Sequence, residues 1–241
     1  MSIHRFRNRV HAGQLLASAL AGYANRADVI VLGMPRGGVP VAFEVARKLR
    51  APLDVIIVRK LGVPGCEELA MGAIASGGIR YINEMVVWRS GVSSETIDKV
   101  ATKELKELRR REIAYRGHEG TPEIGGKVVI LVDDGIATGS TLQAAIRALR
   151  EQGPARIIVA VPTAPPEVCA GLESIVDEVI CLITPEEFQS VGKWYEEFTQ
   201  TSDEEVTRLL EASSARAAPQ TPQKRPAAAA QSRAQPFTEP Y

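Results

Sequence analysis

The chain has 241 residues, with 29 Lys and Arg balanced by 29 Asp and Glu, so its formal net charge is zero at neutral pH. A chain without an overall field of one sign is not drawn generally to nucleic acid or to a lipid surface, so an anionic ligand would need local charges. Cys66, Cys169 and Cys181 form no CxxC pair, and the three histidines are well separated in sequence. We therefore expect reduced thiols and no zinc site.

The N-terminal stretch gives no sign of a membrane segment. "MSIHRFRNRV" is charged and lacks the apolar run of a signal peptide, and "LLASALAGYA" is too short to span a bilayer. We expect a cytoplasmic protein that does not associate with membranes.

Strand, loop and helix patterns alternate along most of the chain. An amphipathic helix is predicted over 12–24, a buried strand over 28–33, a helix over 39–49 and a second buried strand over 54–58. A glycine-rich segment at 61–84 predicts a mobile loop with a small hairpin, and a long charged helix follows over 94–116. The remaining predicted elements are a strand beginning at Val128, a helix over 140–151, a strand over 155–162, a helix over 166–174 and a strand over 177–182. This order predicts an α/β fold, an open and mostly parallel sheet flanked by helices.

Three loops at the predicted carboxyl ends of these strands carry unusual residues, and ligands of open α/β sheets bind at those ends. "MPRGG" offers Arg36 beside Gly37 and Gly38, where the backbone can approach a ligand closely. Arg59 and Lys60 place two cations after the second strand. The third loop is "DDGIATGST", at 133–141.

The third loop combines an acidic pair with an anion site. A turn at Gly139 that opens into a helix near Ser140 leaves backbone N–H groups free to bind a phosphate. Asp133 and Asp134 are acceptors for two vicinal hydroxyls or, through water, for a magnesium ion. Hydroxyl donors surround the turn: Thr138, Ser140 and Thr141. A ribose 5-phosphate has both the diol and the phosphate that this loop suits.

At these residues the sequence resembles the type I phosphoribosyltransferases. "VILVDDGIATGST" is similar to their phosphoribosyl pyrophosphate (PRPP) motif, "PRGG" to their pyrophosphate loop, and "VRKLGVPG" to the segment that leads into their flexible loop. The resemblance covers about 28–182, and the acidic Thr-Gly motif is its most specific part. It implies a type I fold with a small C-terminal hood and a flexible loop.

The resemblance also implies a reaction, the transfer of ribose 5-phosphate from PRPP to a nucleobase or related nitrogen heterocycle with release of pyrophosphate. The reaction would belong to nucleotide salvage and would use Mg²⁺ as a cofactor. The protein would be a homo-oligomer, and nucleic acid is not expected as a partner. Asp133 and Asp134 would hold the ribose hydroxyls near the magnesium and, with Arg59 and Lys60, form the catalytic set. The 5-phosphate would lie on Ala137, Thr138, Gly139, Ser140 and Thr141, and the pyrophosphate on Arg36, Gly37, Gly38, Arg59 and Lys60.

Two features bear on the lid and on the acceptor base. The segment 62–78 contains five glycines and is the predicted lid, which would exclude water from the reacting carbon. Ala137 stands where the 6-oxopurine enzymes of the family have an Asp, which argues against hypoxanthine and guanine without establishing adenine. Glu67 and Glu68 would be an alternative proton acceptor, although a solvated surface is the simpler interpretation for them.

The segment Thr184–Val206 is the predicted hood, and it is rich in aromatic residues. Trp194 and Tyr195 are candidates for stacking on a base, and packing of the hood onto the domain is the alternative for both. Ile136 is a third candidate for the base pocket. For Phe188 and Phe198 we favour packing.

The predicted domain is 1–211, and the Ala, Pro and Gln-rich stretch at 212–241 is predicted to be disordered because it cannot bury enough apolar surface. Two other functional hypotheses stay open. A PRPP or nucleotide sensor would keep the phosphate cradle without turnover, although the cations on the pyrophosphate side favour an enzyme. A phosphoaspartate receiver using Asp133 or Asp134 fits poorly, because it gives Thr-Gly-Ser-Thr no role.

Overall fold

The computed structural model describes residues 5–118 and 122–217. The helices are α1 (Arg9–Ala19), α2 (Gly38–Leu49), α3 (Glu84–Ser90), α4 (Ser94–Arg116), α5 (Ser140–Arg150), α6 (Pro166–Glu173) and α7 (Asp203–Ala217). The strands are β1 (Val29–Gly33), β2 (Leu53–Val55), β3 (Val58–Val63), β4 (Cys66–Ala75), β5 (Ile79–Ile82), β6 (Val128–Val132), β7 (Arg156–Thr163) and β8 (Glu178–Ile183).

Five strands form a parallel sheet in the order β2-β1-β6-β7-β8. Every residue of β1 and of β6 is buried, because helices cover both faces of the sheet. Ile30 and Leu32 pack with α5 and α6 on one face, and Val29 and Val31 pack with α1 and α2 on the other. This confirms the α/β fold predicted from the alternating pattern.

The strand predicted over 54–58 is divided between two sheets. Only Leu53–Val55 pairs with β1, and the chain then turns away so that β3 starts at Val58. The turn is held by Arg116 at the end of α4, whose Nε donates to Asp54 at 2.6 Å and whose Nη2 donates to the carbonyl of Val55. The apolar run hides this break because Ile56 and Ile57, the two residues between the strands, are both buried, each in a different core cluster.

The glycine-rich segment at 61–84, predicted as a mobile loop with a small hairpin, forms most of a three-stranded antiparallel sheet in the order β3-β4-β5. The antiparallel pairing of a hairpin is present, and it extends to a third strand. Leu61, Met71 and Ile74 are buried in a cluster that also contains residues of α4 and α7. Gly72 permits the close pairing of β4 with β5, since a Cβ there would lie 2.3 Å from the carbonyl oxygen of Tyr81. The glycines in this segment therefore include one that serves strand packing.

The long charged helix α4 has the predicted bounds and a solvated face. Glu95 pairs with Lys99 at 2.7 Å and Glu107 with Arg111 at 2.9 Å, both at i,i+4 spacing. Its buried stripe packs against the second sheet and α7.

Burial raises the pKa of Cys169 and raises that of Cys181 to about 12. Raised pKa values are typical of buried thiols that pack in the core rather than react.

After β8 the chain forms the hood segment and then α7. The hood pairs with the N-terminus through a parallel bridge between Phe6 and Tyr195. Helix α7 runs to Ala217, past the domain end predicted at 211. Val206 and Leu210 anchor its first part in a core cluster, and near its end the Arg216 guanidinium lies 5.2 Å from the ring centroid of Phe43. The tail that is predicted to be disordered lies, from 218 onward, outside the described residues. No helix within 5–118 or 122–217 is long and apolar enough to cross a membrane.

Candidate active site

The acidic pair lies at the carboxyl end of β6, the central strand of the parallel sheet. The loop after β1 packs directly against it, and the amide of Met34 donates to the carbonyl of Val132 at 2.9 Å. A Cβ on Gly37 would lie 2.0 Å from Asp134 Oδ2, and a Cβ on Gly38 would lie 2.8 Å from the Cα of Asp133. The structure thus brings the predicted pyrophosphate loop into contact with the acidic pair, and only glycine fits at both positions. A cis peptide joins Pro35 to Arg36 in this loop.

The two carboxyl groups are electrostatically costly where they lie. Burial and then repulsion from Asp134 raise the pKa of Asp133 well above its ordinary value. Burial also raises the pKa of Asp134, against an opposing effect of the Arg9 guanidinium. Arg9 offsets part of this cost, and a bound cation would offset more of it.

Sequence reasoning did not find Arg9, which is the cation closest to the acidic pair. Its Nε and Nη2 contact Asp134 Oδ2 at 2.8 and 2.7 Å, and its Nη1 donates to the carbonyl of Thr199 at 2.6 Å. The guanidinium also stacks 4.0 Å from the ring centroid of Phe198. The two residues of the ion pair are 125 positions apart, so local spacing gave no signal for it.

The loop 135–141 has the backbone form of an anion cradle. Gly139 adopts a left-handed conformation (φ 73°), and its carbonyl accepts the amide of Gln143 at 2.8 Å as α5 begins. Side chains around the turn are exposed at Ala137, Thr138, Ser140 and Thr141. The hydroxyls of Thr138 and Ser140 are 3.4 Å apart. These exposed residues therefore stand at the N-terminus of α5, where the first amides of a helix have no partner within the helix, an arrangement that suits a phosphate.

Arg36 extends from the glycine loop toward α7. Its Nη1 lies 3.8 Å from Asp203 Oδ1, and the hydroxyl of Tyr115 donates to the same Asp203 oxygen at 2.7 Å. Burial and the neighbouring Asp203 raise the pKa of Tyr115, so it stays protonated as a donor. Arg36, Gly37, Arg9 and Asp134 line one cavity together with residues 198–201.

The sequence predicts that Arg59 and Lys60 follow a strand of the parallel sheet. In the structure both residues lie within β3 of the second sheet. The guanidinium of Arg59 pairs with Glu104 of α4 at 2.6 Å. Both cations nevertheless line a cavity that reaches Thr141 of the phosphate cradle. The two cations thus reach this cavity from the second sheet, and the order of elements along the chain does not predict that placement.

The three predicted base-pocket residues have different environments. Ile136 is 4% exposed, and its amide donates to the carbonyl of Thr163 at 2.9 Å. Trp194 is half-buried in the hood. Tyr195 is 1% exposed and packs against the rings of Phe6 and Phe198, with centroid distances of 5.4 and 5.0 Å. This burial favours the packing alternative for Tyr195 over stacking on a base.

The hydroxyl of Tyr195 donates to the carbonyl of Asp134 at 2.6 Å, which ties the hood to the acidic pair. Burial raises the pKa of Tyr195, so this donor keeps its proton. We predict that Tyr195→Phe lowers the free energy of unfolding by about 1 kcal/mol, the usual value of one hydrogen bond. Urea denaturation measures this change. An unchanged unfolding midpoint would contradict the assigned bond, and a changed order of preference among acceptors would contradict the packing role.

Two buried side-chain atoms lack hydrogen-bond partners among the described residues: Thr163 Oγ1 and Trp194 Nε1. Thr163 ends β7 beside the acidic loop, since a Cβ on Gly135 would meet both its methyl group and the side chain of Val191. Val191 and Trp194 are the two ends of one 3₁₀ turn of the hood. Sequence reasoning missed Thr163, because a threonine at a strand end carries no signal of its own.

The fold and the site define an α/β protein in which a glycine loop, an acidic pair and the start of a helix meet at the carboxyl edge of a parallel sheet. The sequence profile of the phosphoribosyl transferase domain matches residues 2–196. The chain belongs to the phosphoribosyl transferase family.

Individual relatives agree with this assignment. "Putative phosphoribosyl transferase Rv0571c" of Mycobacterium tuberculosis is 47% identical over 206 residues, which are 86% of this chain and 46% of that protein. The chain thus spans about half the length of the curated relatives it matches. The crystal structure of TT1426 from Thermus thermophilus is 42% identical with a TM-score of 0.77, and the match covers 86% of this chain and 97% of that one.

Proposed function

We propose that this protein transfers ribose 5-phosphate from PRPP to a nitrogen heterocycle and releases pyrophosphate. One observation carries the proposal, namely the contact of the Gly37–Gly38 loop with the Asp133–Asp134 pair at the edge where the exposed cradle of α5 also lies. This arrangement supports adjacent sites for the pyrophosphate, the ribose diol and the 5-phosphate of one PRPP molecule. Family membership supports the reaction class.

The donor would span these three parts. Asp133 and Asp134 accept hydrogen bonds from the ribose hydroxyls, and the amides and hydroxyls of 137–141 bind the 5-phosphate. Arg36 and the amides of the glycine loop bind the pyrophosphate. Arg59 and Lys60 add positive charge from β3, and Thr141 lies between their cavity and the cradle.

The donor set also fits magnesium. Mg²⁺ is usually held by one or two carboxylates together with substrate phosphates, rather than by a complete cage of protein ligands. Asp133 and Asp134 provide two carboxylates whose burial favours a nearby cation. When bound with PRPP, the metal would supply charge neutralisation at the pyrophosphate.

The chemistry needs no nucleophilic side chain. As the bond between ribose C1 and pyrophosphate breaks, positive charge develops at C1 and negative charge on the departing oxygen. Arg36, Arg59 and Lys60 stabilise the leaving group electrostatically, and the protein must keep water from C1 until the acceptor nitrogen attacks.

The acceptor would bind under the hood. Thr163 Oγ1, at the end of β7, and Trp194 Nε1, in the hood, are buried without hydrogen-bond partners among the described residues, and each could donate a hydrogen bond to an oxygen or ring nitrogen of an acceptor. Ile136, whose amide donates to the carbonyl of Thr163, would supply apolar contact near that threonine. Ala137 offers no carboxylate to the ring, which argues against 6-oxopurines.

Pyrophosphate release tests this proposal. Purified protein with magnesium and PRPP is assayed against a panel of adenine, hypoxanthine, guanine, uracil, orotate and nicotinate. We expect release that depends on one or a few of these acceptors and on the metal. Binding of PRPP without turnover on any acceptor would contradict the transferase and favour the sensor.

A further inference from the structure

Arg9 lies at the first position of α1, where the helix itself gives no reason for a cation. Asn8 caps the helix by accepting the amide of His11 at 3.0 Å. A positive charge in the first turn is opposed by the helix dipole. The side chain is nevertheless only 11% exposed and extends to Asp134 Oδ2.

The N-terminal segment brings Arg9 to the site as part of a small ladder with the hood. The amide of Phe6 donates to the carbonyl of Trp194 at 2.8 Å, and the amides of Glu196 and Glu197 donate back to the carbonyls of Phe6 and Arg7 at 2.8 and 2.9 Å. The ladder fixes the backbone just before Arg9. The Thr199 carbonyl and the Phe198 ring then fix its guanidinium from the other side.

We propose that Arg9 is a positioning residue of the PRPP site, which orients the Asp134 carboxylate for the ribose hydroxyls by holding its Oδ2. This inference rests on the proposed function and deepens it. Two guanidinium nitrogens on one carboxylate oxygen define the orientation of that group more strictly than one contact would. The same contacts couple the hood to the diol site, because Arg9 bonds both.

The geometry explains why the orientation needs to be held. Asp134 is 14% exposed and has Asp133 next to it, and repulsion between the two carboxylates favours rotation of one away from the other. Rotation toward the glycine loop is restricted, because Gly37 already approaches Oδ2 closely enough to exclude a Cβ. Arg9 offsets the repulsion and fixes the side chain in one orientation.

Calorimetric titration of magnesium-PRPP into four proteins tests the inference: wild type, Arg9→Gln, Asp134→Asn and the double variant. If Arg9 acts through Asp134, Arg9→Gln weakens affinity about tenfold in the wild-type background and about twofold or less in the Asp134→Asn background. Arg9→Lys should recover part of the loss, since it keeps the charge without the fork.

Arg5→Gln is the matched control. Arg5 fastens the same N-terminal segment to the hood, with Nε donating to the carbonyl of Lys193 at 2.8 Å and Nη2 to that of Tyr195 at 2.9 Å, and neither contact involves Asp134. We expect its PRPP affinity to stay within about twofold of the wild type, while its loss of thermal stability is comparable to that of Arg9→Gln.

The outcomes separate this inference from the proposed function. Equal losses for Arg9→Gln in both backgrounds, or equal losses for Arg5→Gln and Arg9→Gln, would show a structural role only and overturn the inference while the function stands. Absence of magnesium-PRPP binding by the folded wild type would overturn the proposed function and the inference with it. A variant that melts below the assay temperature is replaced by Arg9→Lys in the cycle, where the same background dependence is required.

Discussion

Asp134→Asn should bind magnesium-PRPP about 10- to 100-fold more weakly than the wild type, the value of one or two hydrogen bonds to a charged acceptor. The amide keeps the shape of the side chain but loses the charge and one acceptor oxygen. Because the Asp134 carboxylate also forms an ion pair with Arg9, the variant leaves that guanidinium without its carboxylate partner. Calorimetry measures the affinity, and a thermal melt shows whether the variant is folded.

Asp28→Asn is the control for this prediction. Asp28 precedes β1 at the opposite end of the sheet and pairs with Arg26 at 2.6 Å, with its side chain 50% exposed. Its replacement should leave PRPP affinity unchanged. Equal affinity of the Asp134→Asn variant and the wild type would contradict the assignment of the diol site.

Gly38→Ala should damage both stability and binding. A Cβ at Gly38 would lie 2.7 Å from the carbonyl oxygen of Val132 and 2.8 Å from the Cα of Asp133, and these backbone atoms belong to the central strand and the acidic pair. The backbone must shift to accept it, which typically costs about 1–3 kcal/mol. Displacement of Asp133 should at the same time weaken PRPP binding severalfold or more.

Gly171→Ala in α6 provides the comparison, because a Cβ there meets nothing within 4 Å. That substitution should stabilise the protein by about 0.4–1 kcal/mol through the smaller entropy of its unfolded chain. Urea denaturation of the two variants beside the wild type measures both effects. A Gly38→Ala variant with wild-type stability and wild-type affinity would show that the glycine loop is not packed against the acidic pair as described.

The elements that the sequence predicted well are those whose burial follows from short apolar runs. β1 and β6 are fully buried in a parallel sheet, so every position is apolar and the neighbouring turns define their ends. The acidic pair and the cradle follow β6 directly in sequence, and the structure places them together for the same reason. Residues that are neighbours in sequence are neighbours in space at this loop, so the sequence alone predicts their arrangement.

Other parts of the site depend on contacts between distant segments. Arg9 reaches Asp134 only because the N-terminal segment pairs with the hood, and no pattern within either segment indicates that pairing. Tyr195 has an aromatic side chain of the kind that stacks on bases, but residues distant in sequence bury it. The glycine-rich segment at 61–84 is predicted as a mobile loop with a small hairpin, and not as three strands, because glycine and alanine, which are depleted in strands, separate its larger apolar residues.

Calorimetric titration of magnesium and PRPP into the wild-type protein tests the central claim most directly, with ribose 5-phosphate as a competitor. We predict micromolar affinity, on the order of −8 kcal/mol, that decreases as ribose 5-phosphate is added. No detectable heat across several temperatures, together with no competition by ribose 5-phosphate, would contradict the claim that the acidic pair and its cradle form a PRPP site.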